Sequence, residues 1–374
     1  MWTEKQVSNL NNFQNSGAFH PFTCGGKDKE GKDCRSVLLA TKDGWICPDG
    51  CGYTQNWAHE AMLNFDMEKF NGLLNQKIKV KWLIEDSNHV SNSSEIINCL
   101  NAKKIQYKTC SISNLITDLP QYDENDCVIS IGTLSFIKNI EKYCKWIPGY
   151  FANFSNFDCL KYYSYYGKYL LNSEYYIMPF SEMVRRKNTL FPGVPKLFVR
   201  PCSGLKQFTG QELTQQFIDS YVINGGNTCL PVLVAPYVPI STEFRFFCTE
   251  KEIVSGSLYY NETGNFETVC IDDITEKNQV LFDNLQNCKN FVQNMLNDVS
   301  WKPDKIFAVD VGLSYGNVPR LIELNSFSCS GWYSSNCEKI IEAANSLAEI
   351  EYKGLFQNEI YRCKRSERVK YEEC

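Results

Sequence analysis

The sequence predicts an α/β protein in three parts: a small cysteine-bearing module, a parallel α/β domain and a strand-rich α+β domain. Residues 20–60 are Gly-rich, with four cysteines and two histidines around a short strand-like run. From about 66 to 180, short β-branched or apolar runs alternate with polar helical windows, the pattern of a parallel sheet with crossover helices. From 195 onward strands predominate. The boundaries read from this are 1–65, 66–180 and 181–350, with 351–374 as a C-terminal tail or helix.

Composition supports packing throughout. At 374 residues, 43% apolar and 14% aromatic, the chain can bury several cores without disulfides. Its net charge of −5 gives no global positive field, so nucleic acid is not expected as a partner. The short basic runs at Arg185–Lys187 and around Arg362, Lys364 and Arg365 read as solvated helix faces. The 18 cysteines are scattered, and the N-terminus is polar, which points to reduced thiols in a cytoplasm. No stretch approaches the roughly 18 to 20 apolar residues of a membrane span, so no membrane is expected as a partner.

In the first part, Cys24, Cys34, Cys47 and Cys51 can form a tetrahedral thiolate site for Zn2+, with GWICPDGCGY as a knuckle. The spacing is C-x3-C where such knuckles usually have C-x2-C, so buried free thiols are the alternative. His20 and His59 are further candidate ligands, against ordinary packing beside aromatics. The second part reads as KIKVKWLIED, IINCLNAKKI and NDCVISIGTLSFI, in strand and helix alternation, and the tyrosine-dense CLKYYSYYGKYLLN as a core or interface helix.

The third part holds the residues that carry chemistry. In FAVDVGLSYGNVPRLIELNSF, Asp310, Glu323 and Asn325 each follow an apolar run. If the two strands form a hairpin, Glu323 and Asn325 share a face and Asp310 completes a cluster of hard oxygens suited to Mg2+. A hairpin whose acidic residues face solvent is the alternative. In FVRPCSGLKQFTG a strand ends in Arg200, a loop carries Gly204 and Lys206, and Gly210 stands at the entry to a helix, QELTQQFI. Two cations there can hold polyphosphate oxygens. In VLVAPYVPISTEFRFF an apolar strand meets a Pro-containing hinge and then a strand with Glu243 and Arg245. Unpaired backbone at such a hinge can read an adenine edge, and a nearby carboxylate can hold ribose hydroxyls.

In this order and spacing, residues 170–345 resemble the ATP-grasp superfamily, specifically the viral and bacterial clade named for two arginines and one lysine. The resemblance implies an α+β ATP-grasp domain preceded by a parallel α/β domain and the zinc-ribbon-like module. It implies Arg200 on the α- and β-phosphates, where the family usually has lysine, and Lys206 in the loop over the phosphates. Ala235, Pro236, Tyr237 and Val238 would hold adenine through main-chain groups and Glu243 the ribose. Arg245 would face the phosphates or the acyl substrate, and Asp310, Glu323 and Asn325 match magnesium ligands. The phosphate loop is shorter and poorer in glycine than is usual for the superfamily.

The expected activity is an ATP-dependent carboxylate-amine or carboxylate-thiol ligase that forms an acyl phosphate, ADP and phosphate. Its partners would be ATP, a carboxylate donor and an amine or thiol acceptor, by resemblance a peptide or protein. Such chemistry needs charge stabilisation more than a base, which fits a chain whose only histidines, His20, His59 and His89, lie outside the site. A non-catalytic nucleotide-binding scaffold, whose zinc ribbon docks a protein or nucleic acid, is the rival. A nucleotidyltransferase would need a K-x-D-G context, which the sequence lacks. For viral members of the clade the cytoplasm is that of a host.

Overall fold

The computed structural model describes residues 2–16, 21–68, 78–87, 92–113, 122–123, 126–261 and 268–356. The chain forms two compact units, 1–79 with 349–374, and 80–348.

The first unit is a helix against a three-stranded antiparallel sheet. Helix α1, Glu4–Asn15, starts on a capping box in which Thr3 and Gln6 satisfy each other's backbone N–H groups. The sheet, β1 (Leu39–Thr41), β2 (Gly44–Ile46) and β3 (Thr54–Gln55), turns Ala40 and Trp45 inward, and a short helix α2, Glu60–Leu63, follows. Two helix amides anchor α1 to nearby backbone. Asn11 both donates to and accepts from the Ala40 backbone, and buried Gln14 donates to the carbonyls of Phe22 and Leu38. They replace water at backbone groups that packing would otherwise leave unpaired.

The second unit has three sheets. The parallel one runs in the order β5-β4-β6-β7, from β4 (Val80–Glu85), β5 (Tyr107–Cys110), β6 (Cys127–Ile131) and β7 (Ile147–Gly149), with α3 (Ser93–Ala102) and α4 (Leu134–Tyr143). Strands β4 and β6 are buried along nearly their whole length, as strands covered on both faces must be. Helix α5, Cys159–Tyr166, buries Tyr162, Tyr163 and Tyr166 in the main core, so the tyrosine-dense stretch is a core helix.

An antiparallel sheet follows in the order β10-β9-β11-β8, from β8 (Tyr176–Pro179), β9 (Leu197–Pro201), β10 (Gln211–Glu212) and β11 (Pro231–Pro236), with α6 (Phe180–Arg186) and α7 (Gln215–Ile223). Strand β8 precedes position 181 yet pairs with β11. The expected helix QELTQQFI begins late: Gln211 and Glu212 pair with Val199 and Phe198, and the helix opens on Thr214, whose hydroxyl accepts from the Phe217 N–H. A threonine in extended backbone is a better N-cap than Gly210 four residues earlier.

The third sheet runs β14-β13-β12-β15-β16, from β12 (Thr242–Thr249), β13 (Ile253–Asn261), β14 (Val269–Cys270), β15 (Ile306–Ser314) and β16 (Val318–Ser326), with α8 (Gln279–Asp298) and α9 (Cys337–Phe356). Along β12, Phe244, Phe246 and Cys248 enter the main core, so the alternate residues Glu243 and Arg245 face the other way.

Candidate functional site

Three strands lay the charged groups side by side. Arg245 on β12 pairs with Asp310 on β15, and Asp310 pairs with Glu323 on β16, so one rung of the sheet carries a cation and two carboxylates. Directly paired residues share a face, and Asn325, two along from Glu323, shares it too. Its amide donates to Asp310 Oδ2 at 2.8 Å and to Glu323 Oε1 at 2.9 Å. The sequence-predicted triad therefore converges.

Arg245 grips Asp310 with both a side and a terminal nitrogen, Nε to Oδ1 and Nη2 to Oδ2, each 2.7 Å, while Nη1 donates to the Gly331 carbonyl at 3.2 Å. Asp310 is 0% exposed. Burial pushes its carboxyl up and Arg245 opposes this. Burial also pulls the guanidinium down, but Asp310 outweighs it, and the net shift is upward. Each partner favours the charged form of the other, but for Asp310 burial outweighs Arg245 and the net shift is upward.

Arg200 arrives from the facing sheet. On β9 Val199 points into the core under α7, which turns Phe198 and Arg200 to the opposite side. Arg200 Nη2 meets Glu323 Oε2 at 2.8 Å, and Lys206 Nζ meets Oε1 at 3.0 Å. Burial alone would raise the Glu323 carboxyl, but Lys206 and Arg200 hold it well below the ordinary range. Lys206 lies in left-handed backbone, φ 47°, in the loop 202–210. That loop closes on Gly210, where a Cβ would come within 2.7 Å of the Phe198 ring.

Between the two sheets lies a cavity of about 550 Å3, within the usual size of ligand sites. Arg200, Lys206 and Glu323 stand at one end, and Tyr237 and Val238 line it too, with Phe198, Phe208, Ile240 and Ile322 as apolar walls. Pro236 ends β11, and its carbonyl accepts from the Asn172 side chain at 3.2 Å. Ala235 is fully buried inside the ladder and does not line the cavity. Tyr237 N–H is taken by the Lys196 carbonyl at 2.9 Å. Glu243 lines the cavity and accepts from the Tyr259 hydroxyl. Burial, then Asp310 and Glu323, pushes its carboxyl well above the ordinary range.

A second, small cavity of about 60 Å3 lies on the other side of the cations, lined by Arg200, Lys206, Arg245, Asn325, Ser326 and Ser330. Sequence reading missed Asn172, Phe208, Tyr259 and Tyr333. Only Tyr259 had a signal, in a tyrosine pair at the end of the strand that returns beside Glu243.

In the first unit the thiols of Cys24, Cys34, Cys47 and Cys51 lie within 4.8 Å of one another, with Cys24 to Cys51 at 3.2 Å and Cys34 to Cys47 at 3.6 Å. Gly26 N–H donates to Cys24 Sγ at 3.3 Å, and a Cβ on Gly26 would press on Cys51 Sγ at 3.0 Å. His59 instead packs edge-on against Trp57 and Phe22. His20 and His89 lie outside the described residues.

Residues 181–343 match the model of an ATP-grasp domain, family 2 of the clade named for two arginines and one lysine. Residues 181–343 thus carry an ATP-grasp domain. No curated protein matches the sequence. Among solved structures it is similar to the D-alanine–D-alanine ligase of Bacillus anthracis, at 11% identity over 78% of this chain and 100% of that one, TM-score 0.43. It is also similar to the ATP-grasp ligase PsnB complexed with its minimal precursor, at 10% identity over 72% and 99%, TM-score 0.46. The D-cycloserine synthetase DcsG matches at 12% identity over 72% and 99%, TM-score 0.46. Likenesses this distant assign no substrate.

Proposed function

We propose that the protein joins a carboxylate donor to an amine or thiol, by resemblance on a peptide or protein, through an acyl phosphate, with ADP and phosphate as products. The observation that carries this is the placing of Arg200, Lys206 and Arg245 around two carboxylates at the mouth of an apolar cleft. Three cations gather at Asp310 and Glu323, Arg200 and Lys206 on Glu323 and Arg245 on Asp310, a concentration of donors that a polyphosphate would complement.

In this reading the adenine lies towards Tyr237 and Val238, with Ala235 and Pro236 fixing the strand that leads there. Glu243 serves the ribose. Arg200 and Lys206 hold the phosphates and Arg245 the reacting anion. Glu323, Asn325 and Asp310 would hold Mg2+, with Glu323 lining the cleft; Asn325 meets both carboxylates through its amide nitrogen, so that amide would turn to offer its oxygen to the ion. When bound, that ion would supply charge compensation to the transferred phosphoryl group.

The donor carboxylate oxygen attacks the terminal phosphorus, the bond to the bridging oxygen breaks, and ADP leaves. The nucleophile then attacks the acyl carbon and phosphate departs, while the Lys206 loop excludes water. Oxygen-18 in the donor carboxylate, with the donor isolated by fractionating extract, is therefore expected in the released phosphate. AMP as product, or phosphate without the heavy isotope, would overturn the mechanism.

The four thiols fit Zn2+. A tetrahedral site with Zn–S near 2.3 Å sets sulfurs about 3.8 Å apart, close to the spacings seen. A cytoplasmic setting goes with this, because the described cysteines are all free thiols. Among the described residues no helix is long and apolar enough to cross a membrane.

A further inference from the structure

The mechanism leaves one feature beside Arg245 unused. After β16 the chain enters the loop SCSGWYSSN, in which Trp332 is fully buried against Phe327 and Phe247, with ring centroids at 5.7 and 6.0 Å. Packing of the loop is thus supplied by Trp332. The next residue, Tyr333, has φ 50°, a left-handed conformation that bulky side chains rarely adopt. This conformation sets the Tyr333 ring against the site and away from the Trp332 cluster.

There the Tyr333 ring lies parallel to Tyr259, with centroids 4.9 Å apart and planes at 6°. The Arg245 guanidinium carbon is 5.1 Å from the Tyr333 centroid and 5.5 Å from that of Tyr259. Both distances lie within cation–π range. Tyr259 is tied to Glu243 by its hydroxyl, and Ser334 is tied to the Thr268 carbonyl at 2.9 Å, so both sides of the stack are anchored. Asp310 and the Gly331 carbonyl take three of the guanidinium's N–H groups, which leaves one on each terminal nitrogen. Arg245 also lines the small cavity with Asn325, Ser326 and Ser330, a space of headgroup size.

We propose that Tyr333 is a positioning residue, which with Tyr259 holds the face of Arg245 so that its two remaining N–H groups meet an anionic headgroup of the substrate in the small cavity. The inference rests on the ligase reading of this site. An aromatic ring is what the position requires, and the hydroxyl is dispensable. The strained backbone is tolerated because it delivers that ring.

The test follows the Arg245 Nε–H signal by nitrogen-15 NMR of the full chain, assigned through Arg245→Lys, with inorganic phosphate as the anion probe. Tyr333→Phe should keep both the exchange rate of that proton and the phosphate affinity within twofold of wild type. Tyr333→Leu and Tyr333→Gly should speed exchange at least tenfold and weaken phosphate binding about tenfold. Tyr333→Gly, freed of the backbone strain, should melt no lower than Tyr333→Leu. Exchange within twofold of wild type in both the Leu and Gly variants would overturn the proposal, as would a Phe variant that behaves like Leu. If phosphate never moves the wild-type signal while the substitutions still loosen it, the anion-site reading fails and the positioning role stands.

Discussion

Asp310 and Glu323 are neighbours in one rung, but their surroundings differ, and so should the consequences of removing them. Asp310 has no exposure, and Arg245 depends on it for two of its bonds. Removing one partner of a buried pair strands the other, at a cost of about 3–5 kcal/mol. Asp310→Ala is therefore expected to lower stability by that amount in denaturant unfolding. The Glu323 side chain is 19% exposed and opens on the cavity, and of its two cations Arg200 is buried but Lys206 reaches water readily, so Glu323→Ala should destabilise, though less than Asp310→Ala. Its larger effect should be on turnover. Charge compensation matters more in the transition state than in bound ATP, so turnover should vanish while nucleotide affinity falls by a smaller factor. Wild-type turnover in Glu323→Ala would show that the carboxylate does not serve the phosphoryl group.

At the scale of elements, the site depends on register. Asp310, Glu323 and Asn325 could be grouped from sequence because one short turn joins their strands and the spacing of two is a strand signal. Arg245 could not be placed on the same rung. It is 65 positions from Asp310, and nothing local in the sequence announces the unbroken register that sets Thr242 opposite Leu313 and so Arg245 opposite Asp310. Tyr333 was illegible for a similar reason, since nothing in SCSGWYSSN announces a left-handed tyrosine. The late start of α7 shows local chemistry overriding a helical-looking window, because β9 offered Gln211 and Glu212 a ladder. The same close packing makes Gly210 a sensitive position. A methyl there meets the Phe198 ring at 2.7 Å and Arg200 Cβ at 3.3 Å, and overpacking of this kind costs about 1–3 kcal/mol. Phe198 forms a wall of the proposed nucleotide cavity, so Gly210→Ala should weaken ATP binding by calorimetry while circular dichroism shows the fold retained. Unchanged affinity and melting temperature would mean that the ring yields freely.

For the whole molecule, the two proposed ligand sites fall in different compact units, and each ligand should stabilise its own. The cysteine cluster lies within residues 24–51 and the proposed nucleotide cavity within 171–323. A ligand that binds only the folded form adds RT ln(1 + [L]/Kd), about 2.7 kcal/mol at a hundredfold excess over Kd. In calorimetry, MgATP should raise the transition belonging to residues 80–348, and a chelator should lower the one belonging to 1–79, because zinc affinity is folding free energy for so small a core. Cys47→Ser with Cys51→Ser should reproduce the chelator's effect and lower the zinc content from about one ion per chain. Nucleotide binding by that double variant should stay near the wild-type level. Elemental analysis without zinc, on protein never exposed to chelator, would leave the cysteines as buried thiols. A chelator that abolished ATP binding would instead show that the two units fold as one.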